Sequence, residues 1–106
     1  MENQLNNPKV TFEVVVSKVK EGVTLFDFVK ADKEMEDNFL VKQKGFLKRE
    51  VAVSKDKTQF FVIVYWATLE DAEAAGAAFY TNPDAMKRMA LSDVVLFNHY
   101  VTGLAQ

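Results

Sequence analysis

Residues 60–66 read FFVIVYW, seven apolar or aromatic side chains in a row within a chain of 106 residues. Successive residues of a strand point to opposite faces of a sheet, and an antiparallel strand with one face in water alternates apolar and polar residues. This strand does not alternate, so we expect both faces of its sheet to be covered. A chain of this length is too small to supply both covers, and a second copy of the chain is the expected partner.

Length and composition predict a single domain. The chain is close to the commonest domain size, and we assign residues 10–106 to one domain. Residues 1–9 are polar, contain Asn7-Pro8 and are expected to form a flexible N-terminal segment. The N-terminus lacks the apolar core of a signal peptide, and no apolar run approaches the roughly 20 residues that span a bilayer. We therefore expect a cytoplasmic protein without a membrane partner.

Charge and cysteine content exclude further classes of protein. The net charge of −2 and the pI near 5.4 argue against a nucleic-acid partner, which selects basic patches. The absence of cysteine excludes a disulfide, a thiol nucleophile and a thiolate metal site. A single histidine without clustered carboxylates facing it predicts that no metal is bound.

Patterning along the chain predicts the element order β-α-β-β-α-β. Strands are rich in β-branched and aromatic residues, and helices carry apolar residues on one stripe. Thr24 and Thr68 are candidate helix caps, Asn82-Pro83 opens a short helix, and Gly45 is placed to end the first helix. The predicted strands are Val10–Ser17, Phe46–Val53, Gln59–Trp66 and Val94–Thr102, with one helix between Thr24 and Gly45 and an alanine-rich helix from Thr68 through Phe79.

This order predicts an α+β, ferredoxin-like fold with a four-stranded antiparallel sheet. Split βαβ units of this kind carry both helices on one face of the sheet. The other face remains apolar whichever way each strand is registered, so we expect a homodimer that packs two sheets face to face about a two-fold axis.

Several short motifs make the chain similar to a known family. They are Gly45-Phe46, Tyr65-Trp66, the run from Thr68 to Ala72, Asn82-Pro83 and Asn98-His99-Tyr100. With these residues the chain resembles the dimeric α+β barrel proteins of the antibiotic biosynthesis monooxygenase type. The resemblance implies a dimeric barrel. It also implies one of the family's activities, which include cofactor-independent oxygenation of quinol-like polyketides and haem degradation.

Haem degradation is not the activity that we expect. The haem-degrading members resemble this chain at Trp66, and they use an asparagine in the first strand and a histidine in the short helix. The corresponding positions here hold Val15 and either Met89 or Ala90. None of these side chains offers the nitrogen lone pair of an axial ligand. We therefore expect no cofactor.

Asp32 is a candidate catalytic acid or base. On a helical wheel it lies between Phe28 and Phe39, on the stripe that should face the sheet. Burial would raise the pKa of this carboxyl, which suits a proton donor or acceptor. The alternative is a local bend of the helix that leaves Asp32 at a wet rim or paired with a lysine.

His99, the only histidine, is the second candidate catalytic residue. Its strand neighbours Val95, Phe97 and Val101 suggest that it points at a buried surface, where it could act as a general base. A hydrogen-bonded histidine in a core or interface is the alternative. An Asp32–His99 pair would fit base chemistry.

Trp66 and several apolar side chains are candidates for ligand contact. Trp66 could form a flat wall for an aromatic ligand, or simply pack at the end of the sheet. Methionine fills irregular cavities and cores alike. The other candidates for the pocket wall, each of which could equally be core, are Phe28, Met35, Phe39, Phe79 and Met89.

Three functional hypotheses follow from the sequence. The first is an enzyme that oxidises an aromatic or quinol-like molecule without a cofactor, in which His99, aided by Asp32, removes a proton and Trp66 holds the ring. The second is a module that binds a small apolar or aromatic ligand without turnover. The third is an interaction subunit whose interior is filled by side chains, and the volume of the cavity near Trp66 and His99 distinguishes it from the other two.

Overall fold

The structure, a computed structural model, describes residues 10–103 and has the predicted element order. The segment 1–9, predicted to be flexible, lies outside the described residues. A single turn of 3-10 helix, Leu40–Lys42, connects the first helix to the second strand. The elements are β1 (Thr11–Val19), α1 (Leu25–Asn38), β2 (Phe46–Val53), β3 (Gln59–Trp66), α2 (Leu69–Phe79), α3 (Pro83–Met89) and β4 (Ser92–Val101).

The four strands form one antiparallel sheet in the order β2-β3-β1-β4, which confirms the ferredoxin-like α+β fold. The two central strands are aligned so that Thr11 faces Trp66, and Glu13 on β1 faces His99 on β4. A register shift after Val16 bends the pairing of β1 with β4. Within residues 10–103, no helix combines the length and the apolar composition that a membrane crossing requires.

Side-chain caps begin all three α-helices. The side chain of Thr24 accepts a hydrogen bond from the Asp27 amide at 3.0 Å, and Thr68 accepts one from the Asp71 amide at 3.0 Å. Asn82 caps α3 in the same way. These bonds satisfy amide groups that have no partner within the helix, and they confirm the caps predicted at Thr24 and Thr68.

The predicted end of the first helix was wrong. The helix ends at Asn38, seven residues before Gly45, because the backbone leaves helical geometry at Phe39 (φ −127°, ψ −60°). This turn buries the Phe39 side chain in the core. Gly45 has a φ of +82° and stands immediately before β2, where its carbonyl accepts a hydrogen bond from the Ala67 amide at 2.8 Å.

The helices cover one face of the sheet. On this face β3 places Phe60, Val62, Val64 and Trp66, each at most 3% exposed. The register assigns the alternate residues of the strands to the other face, which the described chain leaves uncovered and which we call the open face. Its apolar members are Phe12, Val14, Val16, Phe61, Ile63, Tyr65, Leu96 and Tyr100.

The open face is apolar and in contact with water. Phe61 is 39% exposed, Leu96 43% and Tyr100 47%. Its polar members are Lys18, Lys48, Glu50, Gln59, Asp93 and Asn98. The unbroken apolar sequence of β3 therefore supplies side chains to both faces of the sheet, and cover of the open face by a second copy stays a prediction.

Replacing Gly45 by alanine should destabilise the protein more than the same change at Gly22. Both glycines have positive φ (+82° and +84°), a conformation that costs an alanine about 1–2 kcal/mol. A Cβ at Gly45 would also overlap the side chain of Asp71, whereas a Cβ at Gly22 meets no atom within 4 Å. Urea unfolding should give a loss for Gly45→Ala that clearly exceeds the loss for Gly22→Ala. Equal losses would show that Asp71 moves aside without cost.

Candidate active site

A cavity of about 440 Å³ lies between the sheet and the helices. All four strands and all three α-helices contribute to its wall, which is mainly apolar. The predicted residues Trp66, Met35, Phe39, Phe79, Met89 and His99 line it, whereas Phe28 and Asp32 do not. Because the cavity extends from Trp66 to His99, this part of the interior is not packed. That observation argues against an interaction subunit with a filled interior.

His99 is paired with a carboxylate in the wall of the cavity. Its Nε2 lies 3.1 Å from Oε1 of Glu13, the residue directly opposite on β1. The side chains of His99 and Glu13 are 20% and 15% exposed, so both are partly open to the cavity they line. The ring of Phe97 packs edge-on against the imidazole, with centroids 5.1 Å apart.

Glu13 is a site residue that the search for candidates missed. The strand alternation did contain a signal, because it placed Glu13 on one face with Thr11 and Val15. Only the pairing of β1 with β4 brings that face to His99, and strand order is not visible in the sequence. The Asp32–His99 pair that would have fitted base chemistry does not form, since His99 bonds to Glu13 and Asp32 bonds to two arginines.

Asp32 is buried, which was one of the two alternatives, but it lies in an ion cluster and not in the cavity wall. Its carboxylate receives two hydrogen bonds from Arg49, at 2.6 and 2.9 Å, and one from Nε of Arg88 at 2.5 Å. Arg49 also donates to Glu36 at 2.7 Å. The alternative of pairing with a lysine was close in kind, but the partners are arginines, whose planar donors can bind a carboxylate with two parallel bonds.

The expected rise in the pKa of Asp32 was wrong. Burial is the largest single influence and raises the pKa, but the hydrogen bonds and charges of Arg49 and Arg88 together outweigh it. The pKa of Asp32 therefore lies below its ordinary value. A carboxylate held in the ionised form by two cations is poorly suited to exchange protons with a substrate.

Arg49 and Arg88 form the part of the cavity wall that we call the floor, and the ion cluster holds them there. Arg49 and Arg88 line the cavity, and Asp32 holds both guanidinium groups in place from behind. Arg88 also lies over the ring of Phe28, 4.9 Å from its centroid. Phe28 is fully buried between Arg88 and Phe60, so the prediction that it contacts a ligand was wrong and it belongs to the core.

Trp66 forms part of the cavity wall without being open to water. The residue is 0% exposed, and its ring packs edge-on against Phe46 at 6.0 Å. Among the described residues its indole N–H has no hydrogen-bond acceptor. Stacking of a ligand on this ring would therefore require neighbouring side chains to move. The accessible wall lies closer to β4, where Phe97 is 53% exposed, and to Tyr80 after α2, which is 68% exposed.

The described residues offer little for a metal ion. Within residues 10–103, no three His, Asp or Glu side chains are grouped so that they could hold one. The polar groups of the cavity are instead the Glu13–His99 pair, the two arginines at the floor, Glu73 and Ser92.

Solved structures with the same fold include an oxygenase. The crystal structure of a mutant of SnoaB, a cofactor-independent oxygenase from Streptomyces nogalater, matches with a TM-score of 0.71 and 22% identity over 94% of this chain and 96% of that one. A candidate antibiotic biosynthesis monooxygenase from Nitrosomonas europaea matches with a TM-score of 0.65 and 16% identity, covering 91% of each chain. A conserved protein from Methanosarcina mazei gives a TM-score of 0.64 at 10% identity, covering 89% of this chain and 91% of that one.

These similarities confirm the predicted resemblance at the level of the fold. Models of protein families give no match to this chain, and neither do curated protein sequences. The chain therefore shares the α+β fold of the antibiotic biosynthesis monooxygenase proteins.

Replacing Asp32 by asparagine should destabilise the protein strongly at neutral pH. The change leaves Arg49 and Arg88 buried without their shared counter-charge, and breaking a buried pair in this way costs about 3–5 kcal/mol. Urea unfolding at pH 7 measures the loss. Asp37→Asn is the control, because Asp37 pairs with Lys33 at the surface, and its effect should be much smaller.

The difference between wild type and Asp32→Asn should shrink in acid. The folded-state pKa of Asp32 is lowered, so the unfolded chain binds the proton first and the stabilisation is complete only above the unfolded pKa of about 3.9. It is lost as the pH falls through the lower folded pKa. A difference that stays constant from pH 7 down to the acid transition would contradict the assigned pairing.

Proposed function

We propose that this protein is a monooxygenase-like oxidoreductase that acts without a cofactor on an aromatic, quinol-like small molecule bound in the cavity. The observation that carries the proposal is the imidazole of His99 in the wall of a largely apolar cavity of about 440 Å³. Pockets that bind small molecules combine such walls with a few polar groups that orient the ligand. The fold shared with SnoaB, a cofactor-independent oxygenase, supports the same class of reaction.

The proposed reaction begins with removal of a proton by His99. A hydroxyarene that loses its phenolic proton becomes an electron-rich anion, which can pass an electron to dioxygen and then form a carbon–oxygen bond at the ring. The resulting peroxide takes up the proton from His99. Loss of the ring hydrogen with cleavage of the oxygen–oxygen bond then gives a quinone and water. The substrate supplies both electrons that reduce the second oxygen atom, so hydroxyarene and dioxygen balance quinone and water.

The other cavity residues suit this chemistry in different ways. Met35, Phe39, Phe79 and Met89 provide an apolar surface against a flat ligand. Trp66 lines the cavity but is fully buried, so we assign it contact with the substrate ring only after its neighbours move aside. Asp32 acts through Arg88 and Arg49, so we assign it a positioning role in place of the predicted proton transfer.

A ligand-binding module without turnover is the second candidate. The same apolar cavity supports it, and it needs no base. The two candidates differ in one respect that can be measured, because only the enzyme consumes dioxygen in proportion to ligand and depends on His99.

Oxygen uptake with simple hydroxyarenes tests the first candidate. We expect His99→Gln to lower kcat by roughly 10²- to 10⁴-fold, the contribution of a positioned general base, while circular dichroism and urea unfolding show an intact fold. Glutamine retains a donor for Glu13 but accepts no proton. Uptake unchanged in His99→Gln would exclude the assigned base, and binding without any uptake by the wild type would favour the second candidate.

Gly76→Phe is the matched control for the cavity itself. Gly76 lines the cavity, and a Cβ at this position meets no atom within 4 Å. A phenylalanine there should fill the cavity and abolish ligand binding together with uptake, while His99 keeps its hydrogen bond. Binding that persists in Gly76→Phe would mean that the ligand occupies another place.

The proposed assembly is a homodimer formed by two open faces. Each copy exposes a layer of large apolar side chains on this face, including Phe61, Leu96 and Tyr100. Patches of this kind on a soluble protein mark association sites. A two-fold axis lets the same surface serve both copies, so no second kind of partner is needed. The cytoplasmic location stays a prediction.

Replacing Ile63 by lysine should convert the dimer to a single-copy species in sedimentation velocity at micromolar concentration. Ile63 stands between Val14 and Glu50 on the open face, and an unpaired ammonium buried there would cost several kcal/mol. Phe26→Lys is the control, since Phe26 is 76% exposed on α1 and lies away from the sheet. A wild-type protein that sediments as a single copy would refute the dimer.

A further inference from the structure

We infer that Glu13 is a positioning residue that holds neutral His99 in the tautomer with its hydrogen on Nε2, which makes Nδ1 the atom that accepts the substrate proton. The role in turnover rests on the proposed function, whereas the tautomer itself does not. Neither residue type nor spacing in the sequence assigns Glu13 a part in the reaction.

The geometry of the Glu13–His99 pair is set by the sheet. Glu13 and His99 are directly opposite on the adjacent antiparallel strands β1 and β4, and the contact between Oε1 and Nε2 is 3.1 Å. Side chains that face each other across a sheet are held at nearly constant separation by the backbone hydrogen bonds. The contact is therefore built into the sheet and does not depend on a mobile loop.

The charge of Glu13 decides which nitrogen of His99 carries the hydrogen. An ionised carboxylate can only accept hydrogen bonds, so the hydrogen in this contact must be on Nε2. A neutral imidazole has one N–H, and its other nitrogen carries a lone pair. With Nε2 engaged by Glu13, the lone pair that can take a proton is on Nδ1.

The orientation of the His99 imidazole is restricted by Phe97 and Glu13. Phe97 packs edge-on against the imidazole at an interplanar angle of 78°, while Glu13 holds the Nε2 edge of the ring. These two contacts, one with an aromatic ring and one with a carboxylate, limit rotation of the imidazole. Both partners line the cavity with His99, so the ring is fixed at the cavity wall in one orientation.

Glu13 also interacts with the positive charge that develops on His99 during proton transfer. When Nδ1 takes the substrate proton, the imidazole becomes an imidazolium ion whose Nε2–H still points at the Glu13 carboxylate. The donor of that bond thereby changes from neutral to charged, and the attraction between imidazolium and carboxylate strengthens the contact. Glu13 would thus favour the protonated intermediate without taking the proton itself, as the carboxylate of a catalytic triad does.

Nitrogen-15 NMR of the intact protein tests the tautomer directly. The chain contains one histidine, so its imidazole signals need no assignment by mutation, provided that any affinity tag is removed. We expect neutral wild-type His99 to give the shifts of the Nε2–H form alone. Glu13→Leu should give averaged shifts of the two tautomers, whereas Glu13→Gln, whose carbonyl oxygen can still accept, should stay close to wild type.

Glu34→Gln is the matched control. Glu34 accepts a hydrogen bond from Lys87 at 3.3 Å between two helices, outside both the cavity wall and the open face, so the variant alters a side-chain bond of comparable length elsewhere. It should leave the His99 shifts and oxygen uptake unchanged. A purely structural role for Glu13 would lower stability in Glu13→Leu and leave the tautomer as it is.

Kinetics separate this inference from the proposed function. We expect Glu13→Leu to lower kcat by roughly 10- to 100-fold, as losses of outer residues that orient a histidine do, and Glu13→Gln to retain most of the activity. A wild type without oxygen uptake but with the Nε2–H tautomer lost in Glu13→Leu would refute the oxygenase and keep the positioning role. Wild-type shifts in Glu13→Leu would overturn the positioning role whatever the activity.

Discussion

The apolar character of β3 on both faces is the constraint on which the rest of the structure depends. Phe60, Val62 and Val64 face the helices and Phe61 and Ile63 face the open side, so the strand contributes to two apolar layers at once. The helices cover the first layer, and residues 10–103 contain no further element that covers the second. The proposed dimer is therefore a consequence of the same pattern that builds the fold.

The Asp32 ion cluster and the Glu13–His99 pair, both on the helix side of the sheet, have different environments and support different roles. Asp32 is shared by Arg49 and Arg88 and is held in its charged form, which suits it to fixing the floor of the cavity. The Glu13–His99 pair lines the cavity and is partly open to it, and the imidazole ring has a nitrogen that can accept a proton. We therefore assign the proposed proton transfer to His99 and not to Asp32.

Much of the fold and part of the site could be predicted from residues alone. The caps at Thr24 and Thr68 and the strand Gln59–Trp66 follow local rules that act within a few residues. The end of α1 was missed because the backbone leaves helical geometry at Phe39, whose side chain is buried in the core. Packing of the core therefore sets this end, and a local signal such as Gly45 does not. Burial of Asp32 was one of two alternatives, and its arginine partners could not be predicted because they come from β2 and α3, which are distant in sequence.

By itself the sequence determined the element order, the helix-facing stripe and the presence of apolar side chains on both faces of the sheet, because periodicity records which way each side chain points. Only the tertiary structure decided which polar groups meet. The order β2-β3-β1-β4 brings Glu13 against His99 and leaves Asp32 with Arg49 and Arg88. Such pairings depend on strand order and helix packing, which join Glu13 to His99 across 86 positions of the sequence, and no local pattern encodes them.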